Sequence, residues 1–330
     1  MNFSRPLGDV VRVLELASGL QRHGCEVTLV VPQGHSNELT ANVSNVSEFF
    51  VAKARNPYLN YLLLVLSTSF LAQRVLKTLD FDIIQAEASG LILRTPLGKF
   101  LRRSPLVCDM HSITAFDLAD VFTRPVSIPI CSLAWSWQKS AIATSRGILV
   151  VSKRMKEYIQ HQLAIPSEKI SVVYNGVNID FAGKASSRFR EKYRRIKDLG
   201  EPVIGYVGAL ERYEGLDVLI QAFSNFQRQS RQAVLLVAGS GTQENSLRIR
   251  ANRIGIQKRV IFLGRIPYEE TFGLQENMDI LVAPRRPMRF YDISFPVKVP
   301  NYMASGKPVI ASAVGDIPLV FENLKDIVLV

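Results

Sequence analysis

The residues whose types and spacing could hold an anion are gathered near the C-terminal end. They lie in Phe295-Pro296-Val297-Lys298-Val299-Pro300-Asn301-Tyr302-Met303-Ala304-Ser305-Gly306-Lys307-Pro308-Val309-Ile310-Ala311-Ser312. The pattern predicts a loop up to Pro296, a short helix from Val297 to Ala304, and a stop at Ser305-Gly306-Lys307 with Gly306 left-handed. A buried parallel strand over Pro308 to Ser312 follows. A helix N-terminus leaves N–H groups unpaired and carries the positive end of the dipole, and Lys298 in the first turn adds a full charge. The chemistry implied is the binding of an anion. The bland alternative, an ordinary helix between two strands with a solvated lysine, fits the same residues equally well.

Two further groups could do chemistry. Asp109 and His111 stand at the C-terminal end of a buried strand, Leu106 to Met110, where ligands sit in open α/β sheets. His111 is therefore the best placed of the four histidines, though a histidine that merely packs a loop would look the same. Gly208, Gly239 and Gly264 each follow a predicted strand, as close approach of a ligand or of a neighbouring backbone requires.

Strands alternating with helices must position these groups. A helix over residues 10–22, closed by Gly24, precedes a strand over 25–32, which reads as the second half of a βαβ unit with a truncated or misannotated start, or with an unusual first element. Short strands are predicted at 47–52, 81–86, 106–110, 147–152 and 169–174. Helices are predicted at 89–103, 126–145 and 153–163, the last capped by Ser152. Tyr58 to Leu79 is a strongly apolar segment, but Asn60, Gln73 and Arg74 interrupt it, leaving less than the roughly 20 apolar residues a bilayer span needs. It reads as a buried helix, with a membrane-facing helix as the alternative. Together 1–177 form one doubly wound domain. Residues 178–200 crowd Arg188, Arg190, Lys192, Arg194, Arg195 and Lys197 into a polar stretch and form the best linker. A second domain covers 201–330, with strands at 203–208, 233–238, 260–263, 279–284 and 308–312 and a last one at 326–330.

Composition narrows the classes. At 330 residues two domains are the better expectation, and 47% hydrophobic with 21% charged residues describes a folded globular chain. The net charge of +11 points to an anionic partner. Nucleic acid is excluded from the expected partners, because no binding motif and no basic stripe interleaved with aromatics is present. Cys25, Cys108 and Cys131 lack CxxC spacing and read as reduced thiols, and no metal-ligand spacing joins the histidines to acids or cysteines. No signal-peptide pattern opens the sequence, so the cytoplasm is the expected compartment, with a peripheral place on the inner face of the membrane as the alternative.

In combination, several strings resemble the family 4 retaining glycosyltransferases. They are Gly8 with its helix and Gly24-Cys25-Glu26-Val27; Ile148 to Ser152; Val173-Tyr174-Asn175-Gly176-Val177; Gly205-Tyr206-Val207-Gly208 followed by Glu214 to Ile220; Val237 to Gly241; Phe262-Leu263-Gly264; Asp279 to Pro284; and Tyr302 to Ser312. The resemblance implies a GT-B fold of two Rossmann-like domains facing each other across a cleft. It implies transfer of a sugar from a UDP- or GDP-sugar to a glycan or lipid-linked acceptor, with retention of configuration and no metal or other cofactor. His111 resembles the family's histidine near the donor sugar and the acceptor, and with the resemblance the candidate donor-site residues are Gly8, Gly208, Arg212, Glu214, Gly264, Arg286, Phe295, Pro296, Lys298 and Asn301. The departures are specific. Positions that hold the donor diphosphate with arginine and lysine in the family carry Ala209 and Glu214, and its two glutamates fall on Ile293 and Asn301. Both ends also resemble a trimmed member. The sequence thus supports two functions: a glycosyltransferase, or a GT-B-shaped binding or scaffold protein without the diphosphate clamp.

Overall fold

The computed structural model describes residues 8–32, 45–49, 81–87, 105–113, 127–288 and 292–330. The apolar segment at 58–79 and the helix expected at 89–103 lie outside these residues. The strands are β1 (Thr28–Pro32), β2 (Asn45–Phe49), β3 (Ile84–Glu87), β4 (Leu106–Met110), β5 (Gly147–Val150), β6 (Ile170–Val172), β7 (Val203–Val207), β8 (Val234–Ala238), β9 (Val260–Gly264), β10 (Ile280–Ala283), β11 (Val309–Ala311) and β12 (Val328–Leu329). The helices are α1 (Gly8–Arg22), α2 (Ser127–Thr144), α3 (Lys153–Leu163), α4 (Ile179–Phe189), α5 (Leu216–Gln227), α6 (Glu244–Arg253), α7 (Tyr268–Glu276), α8 (Lys298–Ala304) and α9 (Ile317–Val320).

The chain divides into two compact units, Met1–Tyr174 with Ile293–Phe295, and Asn175–Asp292 with Pro296–Val330. In the first, β1 pairs with β2, and β3-β4-β5-β6 form a parallel sheet in sequence order. Leu106, Cys108, Met110, Ile148 and Val150 are buried in its strands, and Met155 and Ile159 in α3. The Ser152 oxygen caps α3 by accepting from the Met155 N–H at 2.9 Å, and its hydroxyl donates to the Ile293 carbonyl.

The second unit is a six-stranded parallel sheet in the order β12-β11-β10-β7-β8-β9. Every residue of β8 is buried, as a strand covered on both faces requires. Its core joins Tyr206, Leu235 and Val237 of the sheet to Leu216, Ile220 and Phe223 of α5 and Leu247 of α6. The chain winds from β7 through β8 to β9 on one side, then crosses to β10 beside β7 and continues to β11 and β12. The winding reverses between β7 and β10.

Residues 178–200, expected as a linker, are folded. Asn178 caps α4 by accepting from the Phe181 N–H at 3.0 Å. A 3-10 segment, Glu191–Leu199, follows it. Both pack on α7, because the stretch carries an apolar face beside its basic one. Phe181 stacks on Tyr268 at 6.2 Å and meets Phe272 edge-on at 6.0 Å. Lys192 Nζ lies 2.6 Å from the Glu270 carboxylate, to which the Tyr193 hydroxyl also donates. Burial alone would raise the Glu270 pKa, but hydrogen bonds from Lys192 and Tyr193 take it below the ordinary 4.5. The stability this carboxylate contributes is therefore full above about pH 4.5 and is lost as pH falls through its lowered folded value. Denaturant unfolding between pH 6 and 3 should show Glu270→Gln less stable than wild type at pH 6 and converging with it towards pH 3. Parallel curves would contradict the ion pair.

Candidate functional site

In open parallel sheets, ligands bind beyond the carboxyl ends of the strands where the winding reverses. In the second unit that place is the end of β7 beside the end of β10. Gly208 follows β7, and Pro284-Arg285-Arg286 follow β10. A side chain on Gly208 would bring its Cβ to 2.9 Å from Lys298 Nζ and 3.0 Å from the Tyr206 hydroxyl, so the glycine leaves room for the lysine at the strand end. Lys298 donates to the Tyr206 hydroxyl at 2.7 Å and sits 4.4 Å from the centre of that ring. It also pairs with the carboxylate of Glu214, with only 12% of the lysine and 9% of the glutamate side chain exposed. Burial pulls the Lys298 pKa down, Glu214 pulls it back up, and the nearby Arg285 lowers it. Burial first, then the Glu214 charge, push the Tyr206 phenol well above its ordinary value.

Lys298 stands in the first turn of α8, as expected, but it is ion-paired and not solvated as the bland alternative has it. Helix α8 has seven residues and no side-chain cap. Pro300 brings no N–H, and the Asn301 N–H is directed to the Val297 carbonyl at 3.4 Å. Lys298 is a largely buried lysine already paired with Glu214, with Arg285 nearby. Two tyrosines to which sequence reasoning gives no role hold the lysine in place. Tyr206 donates to the Ala209 carbonyl at 2.6 Å, fixing the turn after β7. Tyr302 of α8 accepts from the Val207 N–H at 2.7 Å and donates to the Val207 carbonyl at 2.8 Å, tying α8 to the end of β7.

The other expected donor residues take distinct places. Arg212 is exposed on the 3-10 turn Arg212–Glu214. Arg286 is paired with Asp217 in the first turn of α5, its Nε 3.3 Å from the carboxylate. Arg285, which sequence reasoning passes over, is 8% exposed and lies 5.7 Å from the Tyr213 ring centre. Asn301 is buried, and among the described residues its side-chain oxygen meets no hydrogen-bond donor. Gly264 ends β9 at φ +73°, and a Cβ added there would have open space around it. Its carbonyl accepts from the Gly239 N–H at 2.7 Å. Gly239 itself, at φ +139°, would place a Cβ 1.8 Å from the Gly208 carbonyl oxygen. At that glycine the close approach is by neighbouring backbone. Pro296 is half-buried just ahead of α8.

Phe295, Gly8 and His111 belong to the first unit. Phe295 is buried edge-on against Tyr174, ring centres 4.9 Å apart. Gly8 opens α1. One turn on, Arg12 donates to both oxygens of the fully buried Asp109 at 2.8 to 3.1 Å and to the Val173 carbonyl at 2.8 Å. Gln85 of β3 donates to the same carboxylate at 3.0 Å. His111, half-buried, stands two residues beyond this anchored aspartate. Sequence reasoning takes Asp109 as a strand-end acid and does not single out Arg12. The signal available is one arginine among Val10, Val11, Val13 and Leu14. Among the described residues no group of three or more His, Cys, Asp or Glu side chains could hold a metal ion.

These features match known proteins. Residues 201–330 match the glycosyl transferases group 1 pattern, and residues 8–181, more than half of the chain, match Glycosyltransferase Family 4. The chain belongs to glycosyltransferase family 4. This family 4 member is 26% identical to the uncharacterized glycosyltransferase MJ1607 of Methanocaldococcus jannaschii, over 96% of this chain and 79% of that protein. It is 33% identical to the D-inositol 3-phosphate glycosyltransferase of Corynebacterium jeikeium, over 76% of this chain. It spans 60% of that relative's length. Among solved structures it resembles HepE of Anabaena in complex with UDP and glucose, with TM-score 0.67 and 18% identity, covering 97% of this chain and 81% of that one. It also resembles WaaG, a glycosyltransferase involved in lipopolysaccharide biosynthesis, with TM-score 0.66 and 16% identity, over 94% and 79% of the two chains. The likeness shows the fold, GT-B, with two Rossmann-like units of parallel strands. Among the described residues no helix is long and apolar enough to cross a membrane.

Proposed function

We propose that this family 4 member transfers a sugar from a nucleotide-sugar donor to a glycan or lipid-linked acceptor, with retention of configuration. The observation that carries the reading is the largely buried Lys298 ammonium at the carboxyl ends of β7 and β10, where the winding of the sheet reverses. Breaking the bond between sugar and nucleotide leaves negative charge on the departing diphosphate. A fixed cation in a site of low dielectric stabilises that charge more than water would. Lys298 is the proposed diphosphate ligand, with Arg212 on the adjoining turn as a second cation. Asn301, whose buried oxygen is an available acceptor, is proposed to take a hydroxyl of the donor. His111 is assigned to the reacting sugar on the family resemblance. The cations of this proposal are side chains, so turnover is expected to survive EDTA. Support comes from the relatives: HepE was solved with UDP and glucose, and the corynebacterial relatives are named for transfer to D-inositol 3-phosphate. A cytoplasmic place with peripheral membrane contact is proposed on the net charge of +11.

A panel of UDP-, GDP- and ADP-sugars in a thermal-shift assay tests the reading. At least one should raise the melting temperature of the wild type, by an amount that grows with concentration. Lys298→Ala should abolish the shift. No shift with any donor would overturn the proposal. A second reading, a non-catalytic binding or scaffold protein, draws on the Glu214 carboxylate that neutralises Lys298. It predicts a shift without release of nucleoside diphosphate when donors and acceptors are supplied together.

A further inference from the structure

We propose that Glu214 is an internal competitor of the donor diphosphate: it holds the Lys298 ammonium in the unliganded protein and limits how tightly the site takes a nucleotide. The inference rests on the donor-site reading and goes beyond it by giving the carboxylate a role. Glu214 is 7% exposed and closes the 3-10 turn that leads from β7 into α5. Its carboxylate and the Tyr206 hydroxyl both accept from the one ammonium. Tyr206 is a neutral partner whose own proton is committed to the Ala209 carbonyl. Glu214 therefore supplies the negative charge that makes the lysine tolerable in this pocket.

The pair is not sealed. Both side chains keep some exposure, and the backbone at Gly208 passes close to the ammonium, with no side chain of its own in between. A diphosphate offers more negative charge and more acceptor oxygens than one carboxylate, and an ammonium has three donors to redirect. Once the lysine has moved to phosphate, Glu214 is left as a buried carboxylate beside an anion, and in a low dielectric that repulsion is strong. The cost falls on every bound diphosphate and vanishes if the carboxylate is made neutral. The downward pull of burial on the Lys298 pKa, opposed by Glu214, agrees with this division of labour.

Glu214→Gln keeps the shape and removes the charge. Calorimetric titrations of UDP, GDP and ADP into wild type and E214Q are expected to show about tenfold tighter binding of the preferred diphosphate by the variant. The corresponding monophosphate should gain less and the nucleoside nothing. Equal or weaker diphosphate binding by E214Q overturns the inference while the donor-site reading stands. No binding by either protein overturns both. Should E214Q not fold, Lys298→Met and the double variant E214Q/K298M decide. With the lysine gone, the bare carboxylate only repels, so the double variant must bind diphosphate more tightly than K298M. Equal or weaker binding by the double variant overturns the inference.

Discussion

Asp109→Ala is expected to destabilise the first unit by about 3–5 kcal/mol, the cost of leaving a buried charge without its partner. Arg12 has 3% of its side chain exposed and Asp109 none. Without the carboxylate, the guanidinium keeps the Val173 carbonyl as a neutral acceptor, and Gln85 loses the oxygen it bonds. A buried guanidinium that loses its two-oxygen carboxylate partner carries a large desolvation penalty. Asp109→Asn should also cost several kcal/mol, because it restores an acceptor without the charge. Replacing both partners by apolar residues, Arg12→Met with Asp109→Leu, should cost less than Asp109→Ala alone, since two desolvated charges leave together. Denaturant unfolding of the four proteins checks this. If Asp109→Ala falls within about 1 kcal/mol of wild type, the pair is not the buried tie described here. Because Asp109 lies two residues before His111 and Arg12 one turn after Gly8, the variant is also expected to disturb any ligand contact made by these two.

Gly239→Ala is expected to be among the most damaging single-methyl changes in the second unit, with Gly215→Ala, whose added carbon would lie 1.8 Å from the Pro284 carbonyl oxygen. At Gly239 the added carbon would lie 1.8 Å from the Gly208 carbonyl oxygen, on a backbone held at φ +139°. No rotamer relieves such a clash, because the obstacle is main chain. The turn after β7 must move, and with it Gly208, against which Lys298 packs. Strained backbone alone costs roughly 1–3 kcal/mol, and displacement of the strand end adds to it. Gly264→Ala is the control. It also meets positive φ, but nothing lies within 4 Å of the new carbon, so only the conformational cost of about 1–2 kcal/mol remains. Thermal unfolding should place G239A well below G264A, and nucleotide-induced stabilisation should survive in G264A alone. Equal melting temperatures would mean that the contact between the turns after β7 and β8 is not what makes glycine necessary.

Much of the architecture is legible in the sequence because each strand from β7 to β11 is a short apolar run with glycine or proline at one end at least. Val234 to Ala238 is buried on both faces and reads as such. The Ser152 cap and the left-handed Gly306 are legible for the same reason, as local chemistry with a local signature. Residues 178–200 are misread when charge density is taken as solvation. Arg188, Lys192 and their neighbours are mostly exposed, yet Phe181, Ala182 and Ala185 pack on Phe272. The site is legible in position and not in its charge balance. Lys298 and Glu214 are 84 residues apart, and no spacing rule joins them. The same holds for Arg12 and Asp109, 97 residues apart. Such pairs become visible only when the sheet brings its strand ends together. The roles of Tyr206 and Tyr302 are hidden by the motifs that contain them, because a tyrosine in a buried strand or helix reads as core until its hydroxyl is placed.

The most direct measurement is a crystal structure of the protein soaked with whichever nucleotide sugar stabilises it most. The diphosphate is expected at the carboxyl ends of β7 and β10, with a phosphate oxygen within hydrogen-bond distance of Lys298 Nζ and the Glu214 carboxylate no longer paired with that ammonium. A nucleotide bound elsewhere, or one bound here with the Lys298–Glu214 pair intact, would contradict the account.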